Sequence, residues 1–190
     1  MQIRLTSANQ LTILRMVMIP VFVLLIVYRY FTYGLLVFVL AGVSDALDGL
    51  IARKFGQKTA LGAFLDPMAD KLLLTAAFIV LSFDSIGLTV RLPLWFTITA
   101  MSRDIVIVIT VLLINLTSGR RVFPPTILGK LTTFTQLATV LAALLGNHLG
   151  YPLPYFRHLV VLALGFTVAS GLHYLVRTMK TLGAQQEIKV

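Results

Sequence analysis

Four of the seven acidic residues in this chain lie close together, between positions 45 and 70. They form two pairs, Asp45 with Asp48 and Asp66 with Asp70. Spacings of three and four residues place both members of a pair on one face of an α-helix. Carboxylate oxygens, without cysteine or histidine, are ligands for hard divalent cations such as Mg²⁺ or Mn²⁺. The pattern therefore predicts a metal site formed by two neighbouring helices. Buried ion pairs, of Asp45 with Arg53 or of Asp70 with Lys71 or Arg15, are the alternative.

Small residues and one cation accompany the two acidic pairs. Gly49, Ala52 and Gly62 would let a ligand or another backbone approach closely, and ordinary helix packing is the alternative explanation. Arg53 lies two helical turns after Asp45, where it could meet a phosphate. Two metal ions held by shared carboxylates can clamp a diphosphate. The stretch therefore favours chemistry on a phosphorylated substrate.

The rest of the chain is strongly apolar. Hydrophobic residues make up 58% of it and charged residues only 12%, whereas soluble domains are roughly one quarter charged. A membrane-spanning helix needs about 20 apolar residues, and six such blocks are present. We predict an all-α polytopic membrane protein, a single domain over residues 1–190 with six transmembrane helices in one bundle. The blocks lie at 11–30, 32–52, 63–83, 92–116, 126–146 and 156–176.

The distribution of positive charge predicts the orientation. If the N-terminus is inside, ten lysines and arginines lie in inside segments and three in outside loops, as the positive-inside rule requires. Both termini and the aspartates would then face the cytoplasm from the inner or plasma membrane. In so apolar a chain, the net charge of +9 indicates anionic lipids or phosphorylated substrates as partners rather than nucleic acid.

The complete spacing around the aspartates resembles the motif of the CDP-alcohol phosphotransferase family, D-x2-D-G-x2-A-R-x8-G-x3-D-x3-D, at every fixed position. The resemblance implies a six-helix membrane bundle, commonly a homodimer, with its site open to the cytoplasm. It also implies that two Mg²⁺ or Mn²⁺ ions assist transfer of a phosphatidyl group from CDP-diacylglycerol to an alcohol, with release of CMP.

The same resemblance implies roles for individual residues. Asp45, Asp48 and Asp66 resemble the metal ligands, and Asp70 resembles both a group near the second metal and the general base for the acceptor hydroxyl. The positions that resemble the cytidine nucleotide pocket are Gly49, Ala52, Arg53 and Gly62, with Asp48 serving both metal and nucleotide.

The N-terminal stretch from Asn9 to Arg15 resembles the N-L-T-x-x-R opening of phosphatidylglycerophosphate synthases and of CMP-forming cardiolipin synthases. Those enzymes often have proline before the asparagine, where this chain has Ala8. The resemblance implies that Asn9 and Thr12 lie at the edge of the nucleotide pocket, with capping of the first helix as the alternative.

Basic residues further along the chain help to predict whether the acceptor alcohol carries a phosphate. An acceptor with its own phosphate, such as glycerol 3-phosphate, needs cations. The candidates are Arg103, Arg120, Arg121 and Lys130. A positive-inside bias would explain Arg120 and Arg121 equally well.

Two features favour phosphatidylglycerol instead, the acceptor of cardiolipin synthases. Phosphatidylglycerophosphate synthases commonly have Arg-Glu where this chain has Arg103-Asp104, and residues 124–133 resemble the cardiolipin synthase branch. Glycerol 3-phosphate is the preferred prediction and phosphatidylglycerol the alternative. An ion or proton transporter is a further alternative from another class, but a single acidic cluster without an internal repeat is not typical of one.

Overall fold

The computed structural model describes residues 7–55, 60–118 and 126–187, and the side chains of residues 13–44, 71–110, 126–177 and 179. The described part of the chain is helical and contains no strand, which confirms the all-α prediction. A short 3₁₀ turn, Asp84–Ile86, precedes the fourth helix. The six helices are α1 (Ser7–Val27), α2 (Phe31–Phe55), α3 (Ala60–Ser82), α4 (Leu94–Ser118), α5 (Ile127–Leu149) and α6 (Phe156–Glu187).

Each of the six apolar blocks coincides with one helix. Two helical segments, Ile127–Leu149 and Phe156–Arg177, are long and apolar enough to cross a membrane. Within the described residues, α1, α2 and α3 contribute shorter apolar segments. α6 continues eleven residues past the end of its block at 176, because hydropathy marks the apolar length while lysine, glutamine and alanine still favour helix.

The chain divides into two compact units, and the first comprises residues 1–91 and 140–153. In this unit α1 packs against both α2 and α3. The rings of Phe22 and Phe38 are 5.6 Å apart, and the side chain of Ile26 lies against Gly34. Because the connection between α1 and α2 is only three residues long, these contacts belong to an antiparallel helix pair.

Asn147 of α5 holds the segment that leads to α4. Its Oδ1 accepts hydrogen bonds from the backbone N–H of Thr89 at 2.8 Å and of Val90 at 3.1 Å. Its Nδ2 donates to the carbonyl oxygens of Val90 at 2.7 Å and Ala143 at 2.9 Å. The side chain is only 4% exposed. One buried amide therefore uses both of its donors and both acceptor lone pairs on backbone groups.

The second unit comprises residues 92–139 and 154–190, and here α4 packs against α6. Polar side chains join α5 to α6 as well. Thr132 donates from Oγ1 to the carbonyl oxygen of Phe166 at 2.9 Å, and the Nε2 of Gln136 donates to the Oγ1 of Thr167 at 3.1 Å. Hydrogen bonds between apolar helices of this kind stabilise helix association where water is excluded.

Candidate active site

Both aspartate pairs lie on helices, as predicted. Asp45 and Asp48 are in the second half of α2, and Asp66 and Asp70 are in the first half of α3. The helices belong to the same unit. The four carboxylates themselves are outside the described side chains, so their coordination of metal stays a prediction. Their backbone positions can nevertheless be compared with the buried faces of the two helices.

The buried face of α2 leads directly to the first pair. Gly34, Phe38 and Ala41 are buried, and they follow one another at steps of four and three residues. Such steps keep positions on one face of a helix. Continuing the same series gives Asp45 and then Asp48. The first acidic pair therefore occupies the register positions of the inner face of α2.

The buried face of α3 leads to the second pair in the same way. Leu73, Ala77 and Val80 are buried, again at steps of four and three. Continuing backwards along α3 gives Asp70 and then Asp66. Two helices that both pack against α1 thus carry their acidic pairs at inner-face positions. A site shared between α2 and α3 stays a prediction.

The donor set fits a hard divalent cation, because four aspartates supply only oxygen ligands. Among the side chains that the structure describes, no group of three or more histidine, aspartate or glutamate residues could hold a metal. The aspartates of α2 and α3 are not among those side chains.

The predicted nucleotide-binding residues fall on three helices of the first unit. Asn9 and Thr12 lie in α1, and Gly62 lies in the first turn of α3. The remaining positions, Gly49, Ala52 and Arg53, follow Asp48 in α2. Ala52 is the next step of the inner-face series after Asp48. The side chains of all six residues are outside the described ones, so their contacts with a nucleotide stay predictions.

Arg103, a predicted acceptor residue, is nine-tenths buried in the second unit. Its Nη1 donates to the Oδ1 of Asp104 and its Nη2 to the Oγ of Ser170, each at 2.7 Å. A Cβ added to Gly129 would lie 3.4 Å from Nη2. The guanidinium is therefore enclosed between α4, α6 and the first turn of α5. Both terminal nitrogens of Arg103 therefore have protein partners, while its buried Nε has none among the described residues.

The other predicted acceptor residues are placed less completely. Lys130 is exposed in the first turn of α5 and follows Gly129, the residue that approaches Arg103. The structure thus brings the Lys130 backbone near Arg103. Arg120 and Arg121 lie outside the described residues.

Residues 5–169 match the family model described as CDP-alcohol phosphatidyltransferase. The chain belongs to the CDP-alcohol phosphatidyltransferase family. It is therefore a transferase of phospholipid biosynthesis and, given its two long apolar helices, a membrane protein. The motif around the aspartates, which resembles that of this family, lies within the matched region.

Named relatives of this CDP-alcohol phosphatidyltransferase fall in two groups. A "Probable phosphatidylglycerophosphate synthase" from Mycobacterium tuberculosis is 36% identical over 93% of this chain and 83% of its own length. A "CDP-diacylglycerol--glycerol-3-phosphate 3-phosphatidyltransferase" from Bacillus subtilis is 32% identical over 92% of this chain and 95% of its own. A "Cardiolipin synthase (CMP-forming)" from Streptomyces coelicolor is 33% identical over 77% and 68%, respectively.

Sequence reasoning alone did not find Ser170. A single serine in an apolar helix carries no distinctive signal, and its bond to Arg103 joins residues 67 positions apart. Arg15, by contrast, gave a signal beyond its place in the N-terminal motif, since a charged residue within an apolar helix requires a partner. Its side chain is only 1% exposed, on the helix that packs against α2 and α3 of this phosphatidyltransferase.

Proposed function

We propose that this enzyme transfers the phosphatidyl group of CDP-diacylglycerol to glycerol 3-phosphate, releasing CMP and giving phosphatidylglycerophosphate. The observation that carries the proposal is the continuation of the buried faces of α2 and α3 into the four aspartates of the family motif. The choice of acceptor is supported by two relatives, each covering more than nine-tenths of this chain, whose names state this reaction or its product.

Asp45, Asp48 and Asp66 would hold two Mg²⁺ or Mn²⁺ ions, with Asp70 near the second. Bound metal would neutralise the diphosphate of the donor. Asp70 takes the proton of the acceptor hydroxyl, and the freed oxygen attacks the phosphorus that carries diacylglycerol. The bond from that phosphorus to the bridging oxygen breaks, and CMP leaves with that oxygen. Most of the rate enhancement comes from positioning and charge compensation.

The nucleotide of the donor would lie against α2, α3 and the start of α1. Small residues at Gly49, Ala52 and Gly62 leave room for cytidine to approach the backbone, and Arg53 supplies a cation for its phosphate. Asp48 would contact both the nucleotide and a metal ion. The remaining members of this pocket are Asn9 and Thr12.

The proposed arrangement in the membrane is six spans with both termini and the aspartates on the cytoplasmic side, assembled as a homodimer. The charge distribution supports the orientation. Large apolar side chains that are about half exposed support contact with lipid along several helices, because soluble surfaces seldom present so many together. Examples are Leu24, Ile98 and Leu162.

The acceptor is tested by supplying purified enzyme with CDP-diacylglycerol, Mg²⁺ and either glycerol 3-phosphate or phosphatidylglycerol. We expect phosphatidylglycerophosphate as the main product by mass spectrometry, with release of CMP. Cardiolipin formed from phosphatidylglycerol, without product from glycerol 3-phosphate, would instead establish the second candidate function. That candidate is favoured by the cardiolipin synthase relative and by the resemblance of residues 124–133 to that branch.

Arg103, Arg120, Arg121 and Lys130 form the proposed acceptor-phosphate site. Because Lys130 is exposed and next to the turn that approaches Arg103, Lys130→Gln should weaken acceptor binding without disturbing packing. We expect the KM for glycerol 3-phosphate to rise by up to about tenfold, with the KM for CDP-diacylglycerol unchanged. Initial rates over a range of each substrate measure both constants.

Arg157→Gln is the matched control, since Arg157 is also an exposed cation at the start of a helix and is outside the proposed site. It should leave both KM values unchanged. An unchanged acceptor KM in Lys130→Gln would remove Lys130 from the acceptor site.

A further inference from the structure

Among the described side chains of the first unit, Arg15 is a buried charged residue with 1% of its surface exposed. Two other buried residues of α1, Phe22 and Ile26, follow it at intervals of seven and four, so all three lie on one helix face. Arginine stays charged in proteins, and a buried charge is costly unless opposite charge or hydrogen-bond acceptors surround it. The position of Arg15 along α1 therefore indicates which groups compensate its charge.

Two contacts fix how α1 and α2 are aligned. Phe22 lies against Phe38, and Ile26 lies against Gly34. Four residues forward in α1 correspond to four residues backward in α2, as expected for antiparallel helices. Both pairs give the same alignment, so it holds for the length of helix between them and can be extended towards the cytoplasmic ends.

Extending this alignment places Arg15 level with Asp45. Arg15 is seven residues before Phe22, and Asp45 is seven residues after Phe38. At about 1.5 Å per residue, both positions lie roughly 10 Å along the helices from the phenylalanine pair. Both also continue buried faces, that of α1 and that of α2. Arg15 thus reaches the level of the aspartates from α1, which packs against both α2 and α3.

We propose that Arg15 is a fixed counter-ion of the aspartate cluster, a positioning residue that balances carboxylate charge before metal binds. The inference rests on the proposed function, because it requires the four aspartates to form a metal site. Four carboxylates held together without metal repel one another strongly where water is scarce. A guanidinium at their level lowers that repulsion and keeps the site assembled for incoming cations.

The test is thermal unfolding of the detergent-purified protein after chelation of metal, with and without added Mg²⁺. Choline chloride keeps the ionic strength equal in the two samples. Wild-type protein should gain stability with Mg²⁺. Arg15→Met should melt several degrees lower than wild type without metal and gain distinctly more on addition of Mg²⁺, because metal then supplies the missing positive charge. Arg15→Lys keeps the charge, so Mg²⁺ should raise its melting temperature by about the same amount as that of wild type.

Arg103→Met is the matched control, since Arg103 is also a buried arginine but pairs with Asp104 in the second unit. It should melt lower than wild type and yet gain no more from Mg²⁺. If Arg15→Met does not accumulate, Arg15→Gln replaces it, because glutamine keeps polar contacts without charge.

The possible contradictions are distinct. A gain in the neutral Arg15 variant equal to that of wild type would overturn the counter-ion role while leaving the metal site intact. The counter-ion role would also be overturned if Mg²⁺ raised the melting temperature of Arg15→Lys as much as that of Arg15→Met. A wild-type protein that gains nothing from Mg²⁺ would overturn the metal site of the proposed function, and this inference with it.

Discussion

Asp70→Asn is expected to reduce CMP release by about 10²–10⁴-fold. Asparagine has nearly the same shape as aspartate but cannot accept the proton of the acceptor hydroxyl, and it also removes one negative charge from the proposed metal site. Because Asp70 continues the buried face of α3 without belonging to its apolar core, the bundle should still fold. Release of CMP from CDP-diacylglycerol in the presence of acceptor measures the rate.

Asp84→Asn is the matched control for this substitution. Asp84 lies in the 3₁₀ turn, pairs with Arg91 and has a side chain that is 86% exposed. The same chemical change there should leave CMP release at the wild-type rate. Wild-type turnover by a folded Asp70→Asn protein would show that the acceptor hydroxyl loses its proton to another group.

Asn147→Leu is expected to give the largest loss of stability among substitutions away from the site. It leaves the buried N–H and carbonyl groups of Val90 without the partner that now satisfies them. At about 1–3 kcal/mol for each of these two unsatisfied groups, the free energy of unfolding should fall by about 2–6 kcal/mol. Thermal unfolding in detergent should show this as a fall of several degrees or more.

Gln136→Leu provides the comparison, because Gln136 is also a buried amide in α5, at 3% exposure. Its side chain donates one hydrogen bond, to Thr167, whose hydroxyl still donates to the carbonyl of Ala163 after the change. The loss should therefore be much smaller than for Asn147→Leu. Equal losses would mean that Asn147 does not stabilise the segment before α4 more than an ordinary buried amide does.

The helices were predictable because each is long and apolar, and hydropathy alone locates such segments. The aspartates could be chosen as the candidate site because carboxylates are rare in this chain and their spacing is specific. What local sequence could not provide was tertiary pairing. The bond between Arg103 and Ser170 and the four bonds of Asn147 depend on which helix faces meet.

The predicted acceptor residues show a second limit of what local sequence can indicate. Arg103 is a cation in an apolar helix, which suggests a ligand, yet the structure gives its two terminal nitrogens partners within the protein. A charged residue that binds substrate and one that joins helices are alike in sequence. Arg15 was equally ambiguous until the contacts of Phe22 and Ile26 fixed its level along α2.

In α2, one helix face carries the buried residues Gly34 and Ala41 and continues to Asp48. The position of the aspartates around the helix axis is therefore fixed relative to the packed face. Each residue of an α-helix turns about 100° around the axis. Deleting one residue between Ala41 and Asp45 would leave α2 helical but rotate both carboxylates out of phase with its packed face. Insertions and deletions should therefore be tolerated in the connections between helices. They should not be tolerated in the helix segments between the packed residues and the aspartates.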